Sequence, residues 1–329
     1  MEKITNFTNG EIYKNRSAFN VQTTPFTDNT KKPFPVFSVM SMEETVVFDK
    51  RKYSFSEDYL FYALTQDIVT DIDKNILYLI ATFFEGITTK MLADLLVLLG
   101  LAEVETAQKI TQKSVSRLGK YGLIDAFRYQ LPDKSVNPTA MRVFILTPRG
   151  ARLVKSTGIQ NVFFNAMELS ERESCTHKKN CATAQAVIAF LKHMSIESFS
   201  FEKIRREAEN CGVLVKPSAE IVLKSDIGSE TLFFQTVRRT PWQPKTSIQK
   251  LGKFERYSEY VTDILHSWVF IGEDEEHTRS LYLAFCEAGF PDSFLEKIIF
   301  THDLNLYGNF KNAFYSYSKE ATLIPLRII

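Results

Sequence analysis

The 329-residue sequence contains no apolar run of the roughly 18 residues that a membrane-spanning helix needs. Its densest stretch, MLADLLVLLGLA, is interrupted by Asp94. The opening MEKITNFTNG lacks the apolar centre of a secretory signal. Four cysteines with no even framework of spacings exclude a disulfide scaffold and fit a reducing cytoplasm, the expected location. The phosphate-loop pattern GxxxxGK is absent, and the five histidines are scattered, with no Ser or Cys arranged beside them as nucleophile and base. What is present is an ordinary globular composition, 44% hydrophobic and 24% charged, with 27 Phe and 13 Tyr to fill cores. A net charge of +1 points to no class of partner, but that total hides a local imbalance.

Residues 1 to about 50 mix Pro, Asn and Thr with isolated aromatics and hold no sustained period. They read as an arm whose anchors to the body are Phe34, Phe37 and Val46–Val47. The organisation expected is an arm over 1–66, partly irregular, a first domain over 67–160 and a second over 161–329.

In the first domain, DIDKNILYLIATFFEG places Ile72, Ile76, Leu79, Ile80 and Phe83 on one helical face. TTKMLADLLVLLG follows, with Thr88 or Thr89 as N-cap and Gly100 as stop. A third helix runs through ETAQKITQKSVSRLGKYG, then two strands, LIDAFRYQ and MRVFILT, joined by the polar loop LPDKSVNPTA. PRGARLVKSTG closes the domain as a helix with Pro148 in its first turn. Three helices followed by a hairpin is the order of a winged helix-turn-helix, in which the third helix enters the major groove of DNA.

The surface of that third helix carries the charge. Ala107, Ile110, Val115 and Leu118 form its apolar side, while Lys109, Lys113, Ser116, Arg117 and Lys120 fall on one continuous stripe. From Thr106 to Lys155 there are ten Lys or Arg against two Asp, a net of +8, which leaves −7 for the rest of the chain. Phosphate contacts are expected from Lys109, Lys113, Lys120 and the wing residues Arg128, Lys134 and Arg142. Arg117, with Ser116 and Gln112, is expected to reach base edges. The competing reading is a solvated helix face without a partner.

After Gly158 the pattern turns to mixed α and β. CATAQAVIAFLKHM is helical, and SAEIVLKS and TLFFQTVRR form a hairpin with Gly228 at its turn. KTSIQKLGKFERYSEYV is an amphipathic helix with Ile248, Leu251, Phe254, Tyr257 and Val261 inward; strands and a helix follow in SWVFIG, HTRSLYLAFCEAG, KIIFT and ATLIPLRII. The fold class expected is α+β or α/β, the second domain being an α/β sandwich around a mixed sheet.

Three segments, SVSRLGKYGLIDAF, RVFILTPRGARLV and KPSAEIVLK…LFFQTV…KLGKFERYSEY, give the chain a resemblance over about 70–329 to the replication-relaxation family of plasmid and integrative-element proteins. The resemblance implies a winged helix followed by a domain of restriction-endonuclease-like fold. It further implies a role in plasmid replication, conjugative transfer or their regulation, with duplex DNA and a relaxase or other mobile-element proteins as partners. Nucleases of that fold hold Mg²⁺ with an acid on one hairpin strand and an acid-x-Lys triplet on the next. Here Ser218 stands at the first position and Gln235-Thr236-Val237 at the triplet. A hydroxyl, an amide and a valine do not replace two carboxylates and a lysine. Restored acids would be tolerated if this corner lies at a sheet edge facing solvent. A displaced site using Glu220 and Arg238 is the alternative.

The scaffold is thus expected to bind rather than cut, without cofactor or metal. Lys250, Lys253, Arg238 and Arg239 are its candidate contacts to DNA backbone or a protein partner, and a homodimer is compatible with either. Trp242, in VRRTPWQPK, reads either as an exposed contact or as a lid over the hairpin. Cys175, His177 and Cys181 in CTHKKNC are soft ligands of the kind Zn²⁺ takes, but no fourth ligand is evident and incidental thiols are the simpler reading. GEDEEH, after a strand, reads as a solvated turn. The function expected is that of a DNA-binding accessory factor; the rivals are a winged-helix transcription regulator and a Mg²⁺-dependent nuclease with a displaced site.

Overall fold

The structure, a computed structural model, describes residues 37–39, 41, 43–49, 55–83, 86–130, 142–157, 174–225 and 228–326. The chain divides into two compact units, Met1–Val21 with Ser41–Ile188, and Gln22–Met40 with Ala189–Ile329. The last of these divisions falls between Ile188 and Ala189.

The first unit runs β1 (Thr45–Phe48), α1 (Glu57–Thr65), α2 (Asp71–Thr82), β2 (Ile87–Thr88), α3 (Thr89–Leu98), α4 (Val104–Lys120), β3 (Ile124–Gln130), β4 (Val143–Leu146) and α5 (Pro148–Ser156). The region expected as an irregular arm thus contributes a strand and a helix. The four strands form an antiparallel sheet in the order β1-β3-β4-β2.

Local chemistry sets the helix ends. Thr70 and Asp73 cap α2 reciprocally: Asp73 N–H donates to Thr70 Oγ1 at 3.3 Å, and Thr70 N–H to Asp73 Oδ2 at 2.8 Å. Thr88 Oγ1 accepts from Met91 N–H at the start of α3, and Thr147 Oγ1 from Gly150 N–H at the start of α5, where Pro148 supplies no N–H to leave unpaired. Gly150 is required there by proximity, since a Cβ would lie 1.9 Å from the Leu123 carbonyl oxygen. Ile76, Leu79 and Ile80 of α2, Leu92, Leu95 and Leu96 of α3, and Val115 and Leu118 of α4 are buried, together with Phe127 and Phe144 of the sheet. Each such side chain contributes on the order of 1.5–3 kcal/mol by leaving water.

Helix α6 (Ser174–His193) follows, and the division between units falls within it. The second unit continues β5 (Ile196–Phe201), β6 (Ala219–Ser225), β7 (Gly228–Thr236), α7 (Gln243–Tyr260), β8 (His266–Gly272), α8 (Glu275–Glu287), α9 (Asp292–Leu295), β9 (Ile298–His302), α10 (Asp303–Gly308), β10 (Phe314–Tyr317) and β11 (Leu323–Leu326). Its seven-stranded mixed sheet has the order β11-β10-β9-β8-β7-β6-β5. The centre, β7-β8-β9, is parallel and both flanks are antiparallel. Parallel neighbours need crossovers, and α7 and α8 supply them.

Leu251, Phe254 and Tyr257 of α7 and Leu281, Tyr282 and Phe285 of α8 share one core with Phe233, Trp268, Phe270 and Phe300 of the strands. Phe254 stacks on Trp268 with ring centroids 3.8 Å apart. On the sheet's other strand parity, Phe234 meets Phe190 of α6, and Phe310 and Phe314 close around the same ring. The expected elements after residue 218 are all present. β10, which the sequence did not announce, pairs with both β9 and β11.

Candidate functional sites

The outer face of α4 is the first candidate. Lys109, Gln112, Lys113, Ser116 and Lys120 are all exposed along it, opposite buried Ala107, Val115 and Leu118. Among the described residues, Lys109, Lys113 and Lys120 make no salt bridge. Arg117, expected to reach base edges, is engaged by the chain itself. Its guanidinium donates to Asp73 Oδ2 at 3.0 Å and to the Ile68 carbonyl at 3.1 Å, tying α4 to the capped start of α2. Asp73 is fully buried, so this arginine is occupied by the fold.

The wing positions divide similarly. Lys134 and the loop around it lie outside the described residues. Arg128 and Arg142 both face Asp49, at 3.9 and 3.1 Å. Arg149 and Arg152 share Glu57. Every described arginine of this unit therefore holds a carboxylate, while the lysines of α4 do not.

The second candidate is the end of the large sheet where β6 begins and β7, β8 and β9 finish, the side on which open parallel sheets usually bind ligands. It contains the three positions matched to nuclease ligands. Ser218, Gln235 and Val237 are all buried, and β6 and β7 are interior strands, so this corner is not a solvent-facing edge. Ser218 Oγ accepts from Thr236 N–H at 3.3 Å. Gln235 donates to the Thr236 carbonyl and accepts from Lys250 Nζ at 3.1 Å, which turns Lys250 inward and away from the expected backbone contact. The two residues of a displaced site are engaged separately. Glu220 is held by Arg205 at 2.7 Å and Lys203 at 3.1 Å, whereas Arg238 forms a two-pronged bond to Asp303, both at 3.0 Å. Arg238 is 4% exposed, too buried for a DNA contact.

Around these lies a polar cluster that the sequence reading placed in a solvated turn. Glu273 is 1% exposed and accepts from Val39 N–H at 3.2 Å and Arg239 N–H at 2.9 Å. Asp274 caps α8 through His277 N–H and takes the Arg239 guanidinium at 2.6 and 2.7 Å. His277 Nδ1 accepts from Glu273 N–H, which leaves Nε2 to donate to Gln243 Oε1 at 3.0 Å and fixes the neutral tautomer. Burial pushes His277 down to about 4 and His302 likewise to about 4. It pushes Asp303 up to about 6, with nearby Glu273 and Asp274 adding to the rise against the pull of Arg238. The missed signal was position: acids directly after an apolar strand and before a helix are N-cap and sheet-end residues.

The remaining expected contacts are on the surface. Trp242, 46% exposed at the head of α7, is not a lid, and Lys253 is exposed on the same helix. In α6, His177 packs on Phe127, centroids 4.9 Å apart, and Cys181 Sγ lies 3.6 Å from the Tyr129 hydroxyl. Lys178, between them in sequence, is fully buried, paired to Glu44 and set 4.9 Å from the Tyr129 ring centre. Among the described residues no group of three or more His, Cys, Asp or Glu is placed to hold a metal ion, the Cys175 set included. Nor is any described helix long and apolar enough to cross a membrane. No family model, no curated protein and no solved structure matches the chain.

Proposed function

We propose that the protein binds double-stranded DNA through the exposed face of α4, as a winged helix whose wing is the β3–β4 hairpin. The observation that carries this reading is the run of solvent-facing Lys109, Gln112, Lys113, Ser116 and Lys120, whose lysines make no salt bridge among the described residues. Such ammonium groups are available to phosphates, and the short polar side chains between them suit base edges. Base contact passes from Arg117 to Gln112 and Ser116, because Arg117 is engaged with Asp73. The helix order α2-α3-α4, with β2 returning to pair with β4, supports the winged-helix reading.

The second unit, on this reading, is a restriction-endonuclease-like scaffold that binds or supports rather than cuts. Ser218 and Gln235 give hard cations no carboxylate, and the Lys250 ammonium is engaged with the Gln235 amide. With the sequence resemblance, this yields a non-catalytic DNA-binding accessory factor of a mobile element, in transfer or replication, with a relaxase or other element-encoded protein as partner. A transcription regulator is separated from it by sequencing the DNA that co-purifies: an origin of transfer or replication supports the accessory factor, a promoter the regulator.

The direct test is the Lys109→Ala, Lys113→Ala, Lys120→Ala triple variant, titrated by fluorescence anisotropy against a random-sequence duplex. Each lost phosphate contact lowers the slope of log affinity against log salt by about 0.9, so the triple variant should lose two to three units, about 0.9 per lysine, without a change in melting temperature. Unchanged affinity and slope would remove α4 from the groove.

A further inference from the structure

The wing arginines carry a second layer. β3 and β4 pair as far as Phe127 opposite Val143, and Arg128 and Arg142 are the next residue along each side. Two like charges so placed repel. β1 answers this by pairing its Val47 with Arg128, and the chain then carries Asp49 alongside, where Asp49 N–H donates to the Ala126 carbonyl at 2.8 Å. Arg142 Nε lies 3.1 Å from one oxygen of the Asp49 carboxylate and Arg128 Nη2 lies 3.9 Å from the other, both as ion pairs. Its own side chain is 8% exposed, whereas the two arginine side chains are 44% and 54% exposed. An oxyanion held at the mouth of two half-exposed guanidiniums is the layout of a phosphate clamp with the anion already in place.

We propose that Arg128 and Arg142 form a phosphodiester clamp and that Asp49 is its internal competitor, a built-in brake on DNA affinity. The proposal rests on the reading of this unit as a duplex-binding module and adds to it how that binding is limited. Arg117 is not a parallel case, because Asp73 is fully buried and holds its arginine within the fold, while Asp49 holds arginines that still face water. DNA arriving at the wing exchanges one oxyanion for another. The swap releases few counterions and adds little salt dependence while Asp49 is in place.

The experiment compares the full chain with Asp49→Asn, with Arg128→Gln/Arg142→Gln, and with all three changes together. Asp58→Asn, which removes an exposed acid from α1, controls for net charge. Affinity for a random-sequence duplex is measured between about 50 and 200 mM salt. Asp49→Asn should bind about threefold to tenfold more tightly at the low-salt end and steepen the salt slope by one to two units, at about 0.9 per phosphate gained. The double arginine variant alone should change little, and adding it to Asp49→Asn should erase the gain. Asp58→Asn should leave the slope as in the parent. A loss of one or more slope units in the double arginine variant would show that these arginines already hold phosphate, and would overturn the brake. So would an Asp49→Asn protein that binds like Asp58→Asn or more weakly. Elution from heparin, which presents polyanion without a groove, separates this proposal from the DNA reading: Asp49→Asn should elute at higher salt than Asp58→Asn whether or not α4 enters DNA. Equal elution of the two sinks the clamp alone.

Discussion

Charge crowds both the outer face of α4 and the end of the sheet formed by β7, β8 and β9, in opposite surroundings. Lys109, Lys113 and Lys120 stand in water and make no salt bridge among the described residues. Arg238, Asp303 and Glu273 are buried, and each is met by an opposite charge or a backbone N–H. A surface ammonium keeps its hydration and stays available to an anion from outside, whereas a buried ion loses several kcal/mol of hydration unless matched from within. Both cation types serve both uses: Arg238 and Lys178 are buried in ion pairs, and Lys250 turns inward to Gln235, whereas the lysines of α4 face solvent. A residue's type did not decide its use. Its partners did.

The largest effect should come from breaking the matched end. Arg238→Ala leaves Asp303 buried without its counter-charge, a loss of roughly 3–5 kcal/mol, read as a lower urea midpoint. Replacing both partners at once, Arg238→Met with Asp303→Leu, should recover most of that loss, since apolar side chains of similar size remove the need for matching. A single variant as stable as the parent would mean that the cluster does not hold the sheet end together.

Next in size is the acid response of the same cluster. His277 and His302 have folded pKa values depressed to about 4 from 6.5, so the unfolded chain takes up their protons first as pH falls. Their stabilisation is complete above pH 6.5 and lost on the way down to about 4, some 3 kcal/mol for each at about 1.36 kcal/mol per unit. Asp303, raised to about 6, acts in the opposite sense: its cost is full above that value and is relieved as pH falls from about 6 to 3.8. The two histidines outweigh the one acid, so the protein should weaken through this window. His302→Leu should flatten the acid limb by about 3 kcal/mol while changing little at neutral pH. An unaltered acid limb in that variant would show that His302 takes up its proton in the folded state.

What the sequence disclosed follows the same division. Helical periodicity and capping residues are local, so α2, α3, α4 and the inward set Leu251, Phe254 and Tyr257 of α7 were legible before any fold was known. The exposed lysine stripe was legible for the same reason. Pairings across the chain were not: Arg117 meets Asp73 over a separation of 44 residues, Arg238 meets Asp303 over 65, and Lys178 meets Glu44 over 134. Val46 and Val47 read as an anchor of the arm but not as a strand, because TVVF is short and gains its place only by pairing with β3; β10 was not legible because FYSY is bracketed by no turn signal as clear as Gly228. Glu275 and Glu276 of GEDEEH are exposed as a solvated turn requires, but Glu273 and Asp274 are drawn in, because burial of a carboxylate depends on which amides and guanidiniums a distant segment brings to it.

The smallest effect, and the sharpest form of the comparison, lies within α4 itself. Arg117 and Lys113 are one helical turn apart and of like charge, and composition treats them as equals. Arg117→Ala removes the guanidinium from a fully buried carboxylate that also caps α2, and should cost about 2 kcal/mol, measured as a fall in melting temperature. Arg117→Lys should recover part of that, since an ammonium reaches the carboxylate but cannot also span to the Ile68 carbonyl. Lys113→Ala touches no described partner and should shift stability by no more than about 0.5 kcal/mol. In DNA titrations the order reverses: Lys113→Ala should lower the salt slope by about 0.9, while Arg117→Ala, measured well below its melting temperature, should leave the slope in place. If Arg117→Ala instead lowers the slope and leaves melting unchanged, the guanidinium belongs to the DNA, and its bond to Asp73 is only its resting place in the free protein.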